Sequence, residues 1–189
     1  MLKELVKKCR TYRRFYQEVP ISMEELTDLV DTARLTASAS NLQPLRYKLV
    51  NEPELCAQIF PHLRWAGALK DWDGPEEGER PSAYIVIAGD PAVSKNRLYD
   101  VGITAQTIML AAVEKGYGGC MMLSFERTAL YRILNLDLEH AFPELVLALG
   151  KPKEQVEIVP VGEDGSTTYY RDENQVHYVP KRQLKDVLL

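Results

Sequence analysis

The sequence predicts one domain of mixed helix and strand, and three observations carry that expectation. Leu26, Leu29, Val30 and Ala33 recur at helical spacing behind a Ser22–Glu25 capping box. Three short apolar runs, AYIVIA at 83–88, GGCMML at 118–123 and ELVLALG at 144–150, have the length and continuity of strands buried on both faces. Between the first two lies DVGITAQTIMLAAVEKG, 100–116, which is apolar on nearly all sides and reads as a central buried helix ended by Gly116. At 189 residues with 46% hydrophobic content, the chain has the size and the apolar content to fill one core.

The remaining elements follow in order. Leu2, Leu5 and Val6 predict a short opening helix over 2–9 that runs into the basic stretch RTYRRF. The capped helix ends near Thr36, and the polar loop ASASNLQP leads into a short strand at 46–50. Asn51 and Pro53 start a helix that Pro61 ends near Phe60. Residues 61–82, with Trp65, Trp72, Gly74, Pro75, Gly78 and Pro81, read as a lid-like excursion. A short helix is expected over 126–135. After Pro152 the composition turns polar, so 153–189 reads as a tail that cannot bury enough surface alone and must wrap something.

Composition excludes several functions. A net charge of −4, from 23 Lys plus Arg against 27 Asp plus Glu, argues against a nucleic-acid surface or a polybasic membrane surface. Cys9, Cys56 and Cys120 are odd in number, far apart and in no CxxC pair, which fits free buried thiols in a reducing compartment. The N-terminus lacks an apolar signal core and no window is long enough for a membrane span, so a cytoplasmic location is expected. No GxGxxG, P-loop, HExxH or GxSxG occurs. His62, His140 and His177 have no metal-ligand spacing and read as surface or loop histidines, while Cys120 reads as an inert core thiol; metal and covalent catalysis therefore lack support.

Three segments remain as candidates. Arg10-Thr11-Tyr12-Arg13-Arg14 has arginines at i and i+3 whose guanidinium forks, with the Thr11 hydroxyl, suit a phosphate, although composition alone favours a solvated basic face. Ser38, Ala39, Ser40, Asn41 and Gln43 combine small residues with directed polar groups, as a loop holding a planar ligand would, or as a plain connector. Lys181-Arg182 is a basic pair in an acidic tail, which alone is a solubilising charge.

In this order the segments resemble the nitroreductase superfamily of FMN-dependent oxidoreductases. Its early Arg-Ser-x-Arg/Lys-aromatic pattern is matched by Arg10-Thr11-Tyr12-Arg13-Arg14-Phe15, with Thr for Ser. Its Pro-Ser-x-x-Asn-x-Gln-Pro-Trp loop is matched by Ala37-Ser38-Ala39-Ser40-Asn41-Leu42-Gln43-Pro44-Leu45, with Ala37 for Pro and Leu45 for Trp. Asp100-Val101-Gly102 matches the opening of its central helix, Leu149-Gly150-Lys151-Pro152 the end of its last core strand, and Lys181-Arg182 its C-terminal basic pair.

The resemblance implies an α+β nitroreductase-like fold, a central mainly antiparallel sheet flanked by helices, in an intertwined homodimer whose C-terminal tail, 153–189, is exchanged between subunits. It implies that Arg10, Thr11 and Arg13, with Lys181 or Arg182, neutralise the FMN phosphate. Ser38, Ala39, Ser40, Asn41 and Gln43 would run along the flavin, and the backbone of Met121, Met122, Leu123 and Ser124 would approach its N5 and O4. The implied activity is ping-pong hydride transfer from NADH or NADPH through flavin N5 to a small nitroaromatic, quinone or enone, with no catalytic side chain. Two alternatives share the resemblance: an FMN-storing or FMN-sensing protein without significant turnover, and a flavin-dependent dehalogenase or flavin-fragmenting relative.

Overall fold

The computed structural model describes residues 1–137 and 139–189. Its centre is an antiparallel sheet built from β2 (Leu45–Val50), β3 (Ala83–Gly89) and the long β5 (Phe142–Pro152), laid side by side in that order. On the far side of β5, β4 (Gly118–Met122) pairs with Val146–Gly150, and the two-residue β1 (Phe15–Tyr16) pairs with Lys151 and Pro152. The sheet is covered on both faces, which is why β3 is buried at every position.

One face packs Ala83, Ile85, Ile87, Leu145, Leu147 and Leu149 against α2 (Met23–Arg34) and α4 (Arg97–Glu114). The other packs Tyr84, Val86, Val146 and Ala148 against α3 (Pro53–Ile59), α5 (Arg127–Ile133) and Trp65. The alternation of partners along β3 is the period of two expected of a strand. α2 begins where the sequence predicts: Ser22 Oγ accepts from Glu25 N, and the Glu25 carboxylate accepts from Ser22 N at 2.9 Å. Leu26, Leu29 and Ala33 form its buried face.

Three elements differ from expectation. Helix α1 (Leu2–Lys8) forms but buries no residue, and Leu2 and Val6 stay exposed. α4 starts three residues early at Arg97, and it is not covered all round: Leu98, Tyr99 and Ile103 are exposed on it.

The third difference is the tail, which is more folded than its composition suggests. β6 (Val156–Pro160) and β8 (His177–Lys181) pair in parallel, and β7 (Tyr170–Arg171) adds antiparallel to β8. This small sheet is docked on its own chain by buried polar groups rather than by an apolar face, a form of packing that hydropathy does not report. Residues 61–82 form no helix or strand beyond a short 3-10 turn at Phe60–His62, yet Trp65 is buried and Trp72 packs against the second core cluster.

Candidate flavin site

The polar loop after α2 holds the densest run of left-handed non-glycine backbone among the described residues. Ser40, Asn41 and Gln43 have φ of 51°, 54° and 51°, three non-glycine residues in the left-handed region within four positions. Each such residue costs on the order of 1–3 kcal/mol and persists only where its surroundings impose it. Here the anchor is Asp100, buried in the first turn of α4. Ser38 Oγ donates to Asp100 Oδ2 at 2.5 Å, and Ala39 N donates to Oδ1 at 3.3 Å. Ser38 Oγ in turn accepts from Gln43 N at 2.9 Å, and Gln43 Nε2 donates to Asn41 O at 3.2 Å. A pocket of about 210 Å³ opens beside this loop, lined by Ser38, Gln43, Tyr47, Asp100 and Thr104 among others. Sequence reasoning placed Asp100 at the helix opening but missed that it holds the loop; an isolated acid in the first turn of an apolar helix was the available signal.

The basic segment sits on the glycines of β4. Tyr12 N donates to Gly119 O at 2.9 Å, and Thr11 bridges Gly119 as a parallel neighbour. A Cβ on Gly118 would lie 2.5 Å from Tyr12 Cδ2, so only glycine lets the segment lie this close. Residues 10–12 and the start of β4 are thus brought together.

Beyond Thr11 no further strand pairs with that edge of β4 among the described residues, until Ser124 O accepts from Arg64 N at 3.0 Å and Phe125 bridges Leu63. Met121 and Leu123 are exposed there, whereas Met122 is core. The basic segment is tied to α4 through the residue that precedes it, because Gln106 Nε2 donates to Cys9 Sγ at 3.6 Å. Asp100 and Gln106 are six residues apart on one helix, about 9 Å along its axis. α4 therefore positions both the strained loop and the basic segment.

The two arginines of that segment behave differently. Arg10 donates from Nη2 to Val6 O at 2.7 Å, while its Nε is buried without a hydrogen-bond partner among the described residues. Arg13 is buried, and its guanidinium stacks 4.7 Å from the Tyr169 ring centroid and lies 3.4 Å from His177 Nε2. Its backbone N–H donates to the Glu154 carboxylate, which also pairs with Arg171 at 2.9 Å.

His177 itself is buried rather than at the surface. Desolvation, with Arg13 and Arg171 adding to it, pushes its pKa down to about 4, so it is neutral at pH 7. Lys181 and Arg182 are exposed, with no side-chain hydrogen bond or ion pair among the described residues; Lys181 lies in the β6–β8 ladder and its backbone O accepts from Val161 N.

The thiols are unreactive in this setting. Burial raises the pKa of Cys9, Cys56 and Cys120, the last two to about 12 and about 11. Among the described residues no group of three or more His, Cys, Asp or Glu is placed to hold a metal ion, and no helix is long and apolar enough to cross a membrane.

The geometry fits a flavin mononucleotide. An unpartnered buried guanidinium N–H suits a phosphate, a strained loop of small and amide side chains suits a ring edge, and an open strand edge offers backbone donors.

Comparison with known proteins agrees with that fit. Residues 6–151 match the model of the nitroreductase family. MhqN of Bacillus subtilis, whose assignment as an NAD(P)H nitroreductase is itself provisional, is 23% identical over 185 residues, spanning 81% of this chain and 88% of that protein. The iodotyrosine deiodinase of Thermotoga neapolitana is 27% identical, spanning 82% of this chain and 90% of its own. The solved structure of an FMN-dependent nitroreductase from Clostridium difficile R20291 superposes with a TM-score of 0.65 at 22% identity, covering 80% of this chain and 87% of that one.

Proposed function

Because this chain belongs to the nitroreductase family, we propose that it is a homodimeric, FMN-dependent NAD(P)H oxidoreductase whose acceptor is a small nitroaromatic, quinone or enone. The observation that carries this reading is the loop at 38–43, held in a costly backbone conformation by one buried carboxylate. Bound FMN supplies the two-electron relay between reductant and acceptor, which take turns at one place.

The chain's own residues bind, orient and shield. Arg10, with Thr11, neutralises the phosphate; Arg13, turned toward the tail, supports that end from beneath. Ser38 is committed to Asp100, so Ala39, Ser40, Asn41 and Gln43 supply the contacts along the ring. The backbone of Met121, Met122, Leu123 and Ser124 supplies donors at the reactive edge, where side-chain identity matters little. Lys181 or Arg182 completes the phosphate site.

The dimer explains the uncovered apolar groups. α1 and α4 touch, and together they leave Leu2, Val6, Leu98, Tyr99 and Ile103 exposed. Exposed apolar residues on two touching helices support an interface there. The last residues, with Leu184, Val187, Leu188 and Leu189 also exposed, are the part of the tail suited to reach the second copy. Fluorescence titration of FMN with the purified protein tests the site: saturable quenching is expected, and its absence would remove the proposal.

A second reading keeps the site and changes the acceptor to a halogenated aromatic. The similarity to a deiodinase supports it. Product analysis after anaerobic turnover with a halophenol and a nitroarene separates the two.

A further inference from the structure

On the sheet face opposite the candidate flavin site lies a second pocket, of about 300 Å³, between α3, the start of β3 and the segment after β1. Its floor is Tyr84 and its walls are largely apolar: Pro20, Pro53, Ala57 and Phe60. That volume lies at the small end of the range for small-molecule sites, about 300–1,000 Å³.

Two polar groups in this pocket have no partner. Arg80 Nε and Ser82 Oγ are both buried and make no hydrogen bond among the described residues. Each native group of this kind calls for an explanation. The Arg80 guanidinium stacks 4.3 Å from the Phe60 ring centroid, and no carboxylate pairs with it among the described residues. Its backbone is fixed instead: Gln17 Oε1 accepts from Arg80 N at 3.1 Å and from Gly78 N at 2.8 Å. An unpaired arginine, held on an aromatic ring beside a free hydroxyl and facing an apolar cavity, is a receptor for one anionic head on an apolar body.

Charge at the mouth narrows the choice. Glu18 lines the pocket and is exposed, so a second negative group on the ligand meets a like charge. Cys56 also lines it, but its thiol donates to Ser82 O at 3.7 Å and burial holds it protonated, so it contributes a wall and no chemistry.

We propose that this pocket binds a small monocarboxylate with an apolar or aromatic body, its carboxylate on Arg80 and Ser82 and its body against Phe60, Ala57 and Tyr84. The site is separate from the flavin site and does not depend on the redox reading.

Calorimetric titration of the purified protein, loaded with FMN where it takes it, tests this with benzoate, benzyl alcohol and inorganic phosphate. Saturable benzoate binding is expected, with little or none for the alcohol, which lacks the charge, or for phosphate, which lacks the body and carries too much charge. Arg80→Met keeps the stem over Phe60 and should weaken benzoate by about tenfold or more, the effect of losing a charge-assisted hydrogen bond. Ser82→Ala, which removes only an unpartnered hydroxyl and keeps the fold, should weaken it by about threefold or more. Absence of saturable benzoate binding to the unaltered protein overturns the proposal. So does benzoate affinity unchanged in Ser82→Ala and in a folded Arg80→Met, or binding that shifts the visible spectrum of bound flavin, since either places the ligand elsewhere.

Discussion

Ser38 Oγ and Asp100 Oδ2 lie 2.5 Å apart, joining a loop and a helix that are 62 residues distant in sequence. Three consequences follow from this pair. The loop is pulled down on α4, Ala39 N is satisfied by the same carboxylate, and Ser38 Oγ turns back to accept from Gln43 N. The left-handed residues 40, 41 and 43 are the geometric result.

Asp100→Ala removes both acceptors and should weaken FMN binding by about 1.5–3 kcal/mol, the range for hydrogen bonds to a charged group. Asp100→Asn keeps one acceptor and should fall between. Fluorescence titration of each variant, alongside its thermal midpoint, reads the order. Equal affinity in all three proteins would separate the loop's conformation from flavin binding.

Arg10→Ala should cost ~1.5–3 kcal/mol of FMN affinity through loss of the phosphate contact. Riboflavin, which has no phosphate, should bind wild type and variant alike. An equal loss for both ligands would assign Arg10 a structural role through Val6 O instead.

Glu79 joins three parts of the chain. It accepts from Arg14 Nε and Nη2 at 2.7 and 3.0 Å and pairs with Lys153 at 2.9 Å, so it ties the 61–82 excursion to the basic segment and to the root of the tail. The Arg14 hydrogen bonds, with Lys153, hold its carboxyl at about 2, against an ordinary 4.5. A depressed carboxylate stabilises the fold above its unfolded pKa, and that stability is lost as pH falls through the folded one. The contribution should be complete above pH 4.5 and gone near pH 2. At roughly 1.4 kcal/mol per pH unit it amounts to about 3 kcal/mol. Urea midpoints of wild type and Glu79→Gln should therefore differ at neutral pH and converge in acid.

The tail divides into two parts with separate roles. Removing 175–189 deletes β8, the middle strand of the small sheet, together with buried His177, and should lower the stability of each chain. Removing only 184–189 takes exposed apolar residues and should leave the melting of the chain nearly unchanged while weakening its self-association. Sedimentation of both truncations distinguishes these outcomes.

Much of the core was legible because it follows local rules. Ser22 and Glu25 announce α2, and an unbroken apolar run announces β3. The tail sheet was not legible, since Glu154 and His177 dock through buried polar contacts to Arg13, more than a hundred residues away, and Arg171 pairs in turn with Glu154. The exposed face of α4 was hidden as well: Ile103 lies in a run that is apolar on nearly all sides and so reads as core, while Leu98 and Tyr99 precede the expected start of the helix. At the site, the residue types of the 38–43 loop were readable, whereas Asp100 as their anchor depends on a long-range contact. Arg80 and Ser82 carried no sequence signal, because only the fold leaves them without partners.

The most direct measurement is the visible spectrum of the purified protein after incubation with FMN, recorded before and after anaerobic NADH and NADPH. A yellow protein whose flavin absorption bleaches with at least one of the two nucleotides, and returns on adding a nitroaromatic or a quinone, is the predicted result. A protein that stays colourless with FMN, or that binds it and is bleached by neither nucleotide, would contradict the assignment.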